Sequence, residues 1–300
     1  MAVKNPAVST LARIKNQAMQ EGISNQLGQQ LFFQEEFLRR LSKSKYRDNM
    51  ILKGGMFVYT LTEFDSRPTR DMDFMIRRLS NELDNIQNVM NEICQVETGN
   101  DYILLEVLGT ERITVTNKYP GIKTKLQGRI GNVRVPFSID VGIDDVIWPE
   151  PVVRKIKTRL KDFEEPEICT YSVESTLAEK FDAILLRMET TGRMKDFYDI
   201  YYLSDIFDYD GKVLFEAIKK TTDHRNREMR NDSMQRINAF RENAAMLTMW
   251  ANYEPAVAAG LSFNQAIDRV LAFIGPIYDA ILSGDEFEGS WTSEQKKWNK

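Results

Sequence analysis

The chain has 300 residues, of which 42% are hydrophobic and 28% charged, a composition that can bury a core and excludes disordered and fibrous proteins. It contains one histidine, His224, which excludes zinc hydrolases, most His-ligated metal sites and catalytic triads that need a second histidine, and its two cysteines exclude a disulfide framework. No apolar run approaches the roughly 20 residues that cross a bilayer, and the N-terminus lacks a signal-peptide apolar region. We therefore expect a cytoplasmic protein with no membrane partner. If it is an enzyme, its chemistry depends on carboxylates and lysines.

Charge is distributed unevenly along the chain. The net charge is −4, but the segment from Arg112 to Lys161 has eleven basic and four acidic residues and carries +7, which leaves −11 for the rest. A basic segment in an acidic chain is typical of a site for a polyanion, such as a triphosphate or an RNA backbone. Lysines on the solvated face of ordinary strands would explain the same pattern equally well. A second basic run, from Lys219 to Arg241, contains interspersed acids and is interpreted as a solvated helical surface.

The first half of the chain alternates between helical and strand patterns. Apolar residues three and four positions apart predict helices over 25–41 and 79–93, and another helix begins near Met56. Short apolar runs and alternating runs between turn residues predict strands over Met50–Leu52, Arg70–Ile76, Tyr102–Leu108, Arg112–Thr116, Gly121–Ile130 and Asn132–Val141. Gly131-Asn132 lies between the last two runs and predicts a hairpin.

From Ser172 onward the sequence is almost wholly helical. Periodicity predicts helices over Thr176–Met188, Lys195–Ser204, Gly211–Lys220, Met234–Trp250 and Phe263–Leu282, the last with a kink at Pro276. Thr176 with Glu179 predicts a capping box at the start of the first of these helices. The order of elements indicates an α/β (α+β) fold, a mixed sheet with flanking helices followed by a helical half. We place the domains at 1–165 and 166–300 and expect the second to close a cleft.

Asp71 and Asp73 are candidate metal ligands. They are two residues apart on a predicted strand, which places both carboxylates on one face. Adjacent carboxylates repel each other unless cations lie between them, and two Mg²⁺ ions about 3.5–4 Å apart would also hold a phosphate for transfer. A third carboxylate is expected from a neighbouring strand, and Asp140 fits because the odd-numbered residues before it form an apolar face. Asp144 and Asp145 are alternatives that we expect in a loop.

Gly54 and Gly55 separate a predicted strand from a predicted helix. A helix N-terminus offers N–H groups without intrahelical partners, and glycine lets a phosphate approach the backbone closely. No Gly-Lys-Ser/Thr follows, so this is not a Walker A loop. Paired glycines and Asp-x-Asp are each common in ordinary turns and strand edges. Their order along the chain is what indicates phosphate transfer.

Three charged residues of the helical half are also candidates. Lys180 lies at the edge of an apolar stripe, where it could enter a cleft and neutralise a triphosphate or simply extend along the helix surface. Asp196 and Asp199 share one face of the next helix. Asp196 is the candidate base for an attacking hydroxyl, whereas Asp199 could bind Lys180 or Arg193 and hold the helix in place. Acids that complement the helix dipole are a common explanation for such a pair, and we expect it to hold for one of the two, with Asp199 as the structural member.

Four motifs in this order resemble the AbiEii/AbiGii family of nucleotidyltransferase toxins, the toxin halves of bacterial abortive-infection (type IV toxin–antitoxin) modules. The motifs are Leu52–Gly55, Arg67–Asp73, Ser175–Lys180 and Arg193–Tyr201. The family members more often discussed have Gly-Ser where this chain has Gly54-Gly55. Gly55 is therefore expected to contribute a backbone contact only.

The resemblance implies a toxin of antiviral defence that moves a nucleoside monophosphate from an NTP to an RNA, plausibly the 3′ end of tRNA, with release of pyrophosphate. It also implies an antitoxin partner, Mg²⁺ as cofactor, and GTP or a pyrimidine NTP as substrate. Motifs and residue chemistry together assign catalysis to Asp71, Asp73, Lys180 and Asp196, metal binding to Asp71, Asp73 and Asp140, and nucleotide binding to Gly54, Gly55, Arg67, Thr69, Lys180 and Asp199. Two alternatives remain: transfer to a protein or a small molecule, and a catalytically silent binding module of the same fold.

Overall fold

The chain forms two compact units in the computed structural model, which describes residues 5–113, 121–143, 145–190 and 192–299. The first unit comprises Met1–Asp145 and Pro151–Tyr171, and the second comprises Val146–Glu150 and Ser172–Lys300. The chain thus passes briefly into the second unit, returns, and leaves the first unit finally after Tyr171. The division that we predict at 165 and 166 lies just before this last transition.

The first unit is built on a seven-stranded mixed sheet. Its strands are β1 (Met50–Lys53), β2 (Asp73–Ile76), β3 (Ile103–Arg112), β4 (Ile122–Ile130), β5 (Val133–Gly142), β6 (Val152–Lys155) and β7 (Glu167–Thr170). They lie in the order β3-β4-β5-β2-β1-β7-β6. The pairs β2–β5 and β1–β7 are parallel, and the other pairs are antiparallel.

Four helices accompany this sheet: α1 (Pro6–Gln20), α2 (Asn25–Lys43), α3 (Gly54–Leu61) and α4 (Leu83–Cys94). Helix α2 begins after Ser24, whose side chain accepts a hydrogen bond from the N–H of Leu27. Its buried Phe37 meets Phe74 of β2 edge to face, with ring centroids 6.0 Å apart. One face of the sheet is therefore packed on α2, and the mixed sheet with flanking helices confirms the predicted fold class.

The second unit is mainly helical, as predicted. It contains α5 (Val173–Arg187), α6 (Met194–Ile206), α7 (Gly211–His224), α8 (Ser233–Ala239), α9 (Ala244–Ala251), α10 (Glu254–Ala258) and α11 (Phe263–Ser283), with short strands β8 (Tyr209–Asp210), β9 (Ser290–Thr292) and β10 (Lys297–Asn299). Phe273 of α11 packs between the strands and helices, with its ring centroid 4.6 Å from that of Trp291. Pro276 lies inside α11, which continues past it.

Side-chain caps make two helices differ from their predictions. Asn243 has an extended backbone (φ −79°, ψ 103°), and its side chain accepts a hydrogen bond from Met246 N, so the predicted helix over 234–250 is divided into α8 and α9. Helix α5 begins at Val173 rather than Thr176, because Ser172 is its N-cap and accepts a hydrogen bond from Ser175 N. In both cases a side-chain cap determines where the helix begins.

Several strand predictions also need correction. Strand β2 begins at Asp73, not Arg70, so Asp71 precedes the strand. Strand β3 continues through Gly109 to Arg112, the first residue of the next predicted run, and its register shifts between Val107 and Gly109. Helix α1 and the short strands β6 to β10 were not predicted. Residues 114–116 of a predicted strand, together with Lys118, Pro120 and Asp144, lie outside the described residues.

Within the described ranges, no helix combines the length and the hydropathy needed to cross a bilayer.

Candidate active site

Four charged residues form a row across four neighbouring strands of the first unit. Lys53 of β1 is the register partner of Asp73 of β2, Asp73 is the partner of Asp140 of β5, and Asp140 is the partner of Lys123 of β4. Register partners on adjacent strands point to the same side of a sheet. The row therefore places two carboxylates next to each other with a lysine on either side.

The adjacent row of the same strands explains this register. Leu52, Phe74, Val141 and Ile122 are register neighbours of one another, are almost completely buried, and point to the opposite face. A shift of one residue would bury the charged side chains and expose this apolar row. Burial of the apolar residues thus determines which carboxylates lie together.

Gly54 follows Lys53 directly and begins α3. Its φ is +68°, and a Cβ atom at this position would overlap Oδ2 of Asp73 and lie 3.1 Å from its Cγ. Glycine is therefore required at position 54 for two reasons: the backbone is left-handed, and the Asp73 carboxylate occupies the space of a Cβ atom. No side-chain cap covers the first turn of α3. N–H groups of this kind bind phosphate.

Gly55 packs against Thr69. A Cβ atom at Gly55 would lie 3.0 Å from Oγ1 and 3.2 Å from Cβ of Thr69, which is closer than ordinary packing allows. Thr69 is buried, and its Oγ1 accepts a hydrogen bond of 3.2 Å from Asp71 N. A serine at position 55 would therefore press on Thr69, the residue whose side chain binds Asp71 N.

Hydrogen bonds from helix α2 hold the loop before β2 in place. Gln30 and Gln34 each donate a hydrogen bond of 2.9 Å to the carbonyl oxygen of Arg70. Asp71 follows on this anchored loop and is exposed, while Arg67 is half-buried. Asp71 therefore reaches the site from a loop, whereas Asp73 reaches it from the sheet.

Asp140 has an environment that disfavours its own charge. Burial raises the pKa of Asp140, the positive charge of Lys123 opposes this effect, and the negative charge of Asp71 adds to it. Lys123 Nζ lies 3.4 Å from Oδ1 of Asp140, yet this oxygen accepts no hydrogen bond of good geometry. A cation bound next to Asp140 would therefore favour the charged form of its carboxylate.

In the second unit, Lys180, Asp196, Asp199 and Arg193 form a charged cluster. Lys180 of α5 is buried and its Nζ donates a hydrogen bond to Oδ2 of Asp199. Asp196 is fully buried, with Oδ1 3.9 Å from Lys180 Nζ and Oδ2 2.6 Å from Nε of Arg193. Lys180 therefore does not extend along the helix surface, and Asp199 has the pairing role that we considered for it.

A family model decides the identity of the chain. The model of the AbiEii nucleotidyl transferase toxin, of the type IV toxin–antitoxin system, matches residues 36–272. The chain belongs to the AbiEii family. It is a nucleotidyltransferase toxin, and the family places it in a toxin–antitoxin system. No sequence among the curated proteins is similar enough to count as a match.

Solved structures of nucleotidyltransferases share the fold of this AbiEii protein. MenT4, a nucleotidyltransferase toxin from Mycobacterium tuberculosis H37Rv, aligns with a TM-score of 0.55 at 16% identity over 92% of this chain and 99% of its own. A putative nucleotidyltransferase from H. pylori aligns with a TM-score of 0.50 at 11% identity, over 88% and 100%. At these identities the likeness concerns the fold.

The donor atoms of the AbiEii protein fit a magnesium ion that is shared with a substrate. No group of three or more Asp, Glu, His or Cys side chains within the described ranges is close enough to enclose a metal by itself. Mg²⁺ is usually held by one or two carboxylates together with phosphates of the substrate. Asp73 beside Asp140, next to the N–H groups at the start of α3, matches that arrangement, and Asp71 would add a further oxygen donor.

Sequence reasoning did not identify Lys53 and Lys123, the two lysines of the row, as site residues. Lys53 adjoins Gly54 and Lys123 occupies a polar position of an alternating strand, but neither signal shows that they flank the carboxylates. Lys53 Nζ lies 2.6 Å from Oδ2 of Asp145, which we had considered as an alternative metal ligand. In this structure Asp145 is therefore the ion-pair partner of Lys53.

The basic segment of the AbiEii protein is partly neutralised by acids from outside it. The ion pairs join Arg112 to Glu82, Lys125 to Glu111, Arg159 to Glu21, and both Lys155 and Lys157 to Glu165. In the second basic run, Arg225 and Arg227 bind the buried carboxylate of Asp182. Much of the positive charge in both runs therefore stabilises the protein locally.

Proposed function

We propose that this toxin is a Mg²⁺-dependent enzyme that transfers a nucleoside monophosphate from an NTP to RNA, with the 3′ end of tRNA as acceptor. One observation carries the proposal: the register pairing of Asp73 with Asp140 beside the glycine N-terminus of α3. Carboxylates that hold cations then adjoin backbone N–H groups that hold phosphates.

In this proposal the residues of the first unit bind and orient the nucleotide. Asp71, Asp73 and Asp140 would hold Mg²⁺, which when bound supplies positive charge that offsets the charge of the phosphates. The N–H groups of Gly54 and Gly55 bind phosphate oxygens, and Arg67 and Thr69 belong to the same nucleotide site through the motif that contains them.

The reaction is an in-line substitution at the α-phosphorus. The acceptor hydroxyl forms a new P–O bond, the bond between the α-phosphorus and the bridging oxygen breaks, and pyrophosphate leaves with the electron pair. The hydroxyl proton passes to a general base, a role that we assign to Asp196 from its sequence motif. Lys180 is assigned to the triphosphate on the same ground, and its partner Asp199 orients it.

The acceptor, the nucleotide and the biological setting rest on the family resemblance. It supports GTP or a pyrimidine NTP as substrate, an antitoxin as functional partner, and growth arrest during phage infection as the outcome. A protein or a small molecule is the alternative acceptor, and it would be recognised by the destination of the transferred nucleotide.

The test is a labelling experiment. The purified protein is incubated with total tRNA, Mg²⁺ and each α-³²P-labelled NTP in turn, beside Asp73→Asn and a control, Asp101→Asn, which changes an exposed aspartate. We expect tRNA labelling by the parent and the control, and at least about a 100-fold loss in Asp73→Asn and in EDTA. Label in protein would support the alternative acceptor, and labelling that survives Asp73→Asn would overturn the metal assignment.

A further inference from the structure

Lys123 of β4 forms an ion pair with Asp140, a candidate metal ligand on the neighbouring strand β5. We propose that Lys123 neutralises Asp140 in the metal-free protein and moves from Asp140 to a phosphate oxygen of the nucleotide when the metal–nucleotide complex binds. This inference rests on the proposed function, because it assumes that Asp140 binds the cation that accompanies the nucleotide.

The contact between Lys123 and Asp140 is suited to exchange. Nζ lies 3.4 Å from Oδ1, the side chains are 34% and 35% exposed, and the carboxylate oxygen accepts no hydrogen bond of good geometry. Oδ1 itself is buried while the rest of the two side chains is partly exposed, so the attraction is mainly coulombic, and partly exposed pairs of this kind contribute little stability. Because the Lys123 side chain is partly exposed, its ammonium can leave Asp140 without a rearrangement of the core.

Charge gives the exchange its direction. Asp73 is the register partner of Asp140, the negative charge of Asp71 also acts on Asp140, and the ammonium of Lys123 opposes that effect. A divalent cation held by the same carboxylates would repel that ammonium, while the phosphates that accompany it would attract it. Adjacent strands lie about 4.8 Å apart, so a flexible lysine one strand away remains within reach of a phosphate bound at Asp140.

The neighbouring lysines have other partners, which distinguishes Lys123 from them. Lys53, at the other end of the row, is 14% exposed, binds Asp145 and lies over the ring of Tyr171. Lys125 lies two residues along β4 on the same face as Lys123 and pairs with Glu111 at 2.8 Å. Lys125 is therefore a matched control of the same residue type on the same strand and face.

The experiment measures binding rather than turnover. Mn²⁺ binding to the full chain is followed by electron paramagnetic resonance for the parent, Lys123→Met and Lys125→Met, first without nucleotide. Binding of α,β-methylene NTPs, in which transfer is blocked, is then measured in the presence of Mn²⁺. We expect Lys123→Met to bind Mn²⁺ about two- to fivefold more tightly and the nucleotide analogue more weakly by a similar factor. Lys125→Met should match the parent in both measurements.

Opposite signs for metal and nucleotide are the diagnostic result. Unchanged or weaker Mn²⁺ binding by Lys123→Met, or unchanged affinity for the nucleotide analogue, would overturn the exchange. If the exchange is overturned in this way but Asp73→Asn still loses Mn²⁺ binding, the metal site of the proposed function remains supported. A parent protein that binds no Mn²⁺ with or without nucleotide would overturn both. Circular dichroism of each variant shows whether it is folded.

Discussion

Asp73 and Asp140 are register partners on two parallel strands, and the N–H of Asp140 donates a hydrogen bond of 2.9 Å to the carbonyl oxygen of Met72. This pairing holds two carboxylates on one face of the sheet at the spacing of adjacent strands, about 4.8 Å. Like charges at this spacing are unfavourable. Lys53 and Lys123 flank the pair and reduce that cost, while a cation bound between the carboxylates would remove more of it.

Gly54→Ala should abolish activity, because the added Cβ would displace the Asp73 carboxylate. Gly22→Ala is the matched control: Gly22 also has a φ of +68°, but nothing lies within 4 Å of an added Cβ. Both variants carry the left-handed backbone cost of about 1–2 kcal/mol. We expect Gly54→Ala to lose at least about 100-fold in nucleotide transfer, while Gly22→Ala keeps parental activity.

The comparison separates backbone strain from overlap with the carboxylate. Thermal unfolding of both variants measures the strain, and labelled-nucleotide transfer measures the position of Asp73. Equal activity in the two variants would show that the space beside Gly54 is not needed for the reaction.

Features encoded by neighbouring residues were predictable from the sequence. The Gly131-Asn132 hairpin is confirmed, with Ile130 and Val133 as register partners and a φ of +58° at Gly131. The apolar stripe predicts a helix over 25–41, and the structure has helix α2 over Asn25–Lys43. These features depend on turn geometry and periodicity, which are local properties of the chain.

Features that depend on distant pairing were not predictable. The row from Lys53 to Lys123 requires β2 and β5 to lie side by side, and these strands are separated by more than 50 residues of sequence. Periodicity places Asp140 on a polar face but not opposite Asp73. The predicted strand over 70–76 is too long because the hydrogen bonds from α2 to the Arg70 carbonyl hold that part of the chain outside the sheet.

Asp199→Asn and Asp196→Asn should differ in stability. Asp199 is the direct partner of the buried Lys180, so its neutralisation leaves Lys180 with only the more distant Asp196 and should lower the free energy of unfolding by up to about 3–5 kcal/mol. Asp196→Asn should cost less than half of this, because Lys180 keeps Asp199 and the partly exposed Arg193 remains solvated. Urea unfolding of both variants gives the comparison.

Activity then tests the role of Asp196 in the reaction. As general base, it should contribute about 10²–10⁴-fold, so Asp196→Asn should be folded and nearly inactive. A folded Asp196→Asn with parental transfer would show that the carboxylate is structural. Equal destabilisation by the two variants would contradict the division of roles.

Asp182→Ala should destabilise the second unit far more than Glu189→Ala. Asp182 is 1% exposed in its side chain and binds Arg225 at 3.0 Å and Arg227 at 2.6 Å, whereas Glu189 pairs with Arg236 at the surface. Loss of the buried partner should cost about 3–5 kcal/mol, and loss of the exposed one at most about 1 kcal/mol. Differential scanning calorimetry at two salt concentrations would measure both, and comparable losses would show that the Asp182 cluster is solvent-screened.

Glu35 should make the stability of the first unit depend on pH. It is buried on α2 next to Arg39, Arg159 and Glu36, with Glu21 nearby, and burial raises its pKa from 4.5 to about 7. Because the folded protein binds this proton more tightly than the unfolded chain does, the resulting stabilisation is complete below pH 4.5 and is lost as the pH rises through 7. The difference corresponds to about 3 kcal/mol.

Glu35→Gln isolates this contribution, because glutamine keeps the size of the side chain and cannot ionise. The free energy of unfolding of the parent, relative to that of Glu35→Gln, should fall between pH 4.5 and 7.5 and change little outside that window. Urea titrations at half-unit pH intervals would measure it. A difference that rises with pH would mean that Arg39 and Arg159 hold Glu35 ionised, since their attraction for the carboxylate would then outweigh its burial.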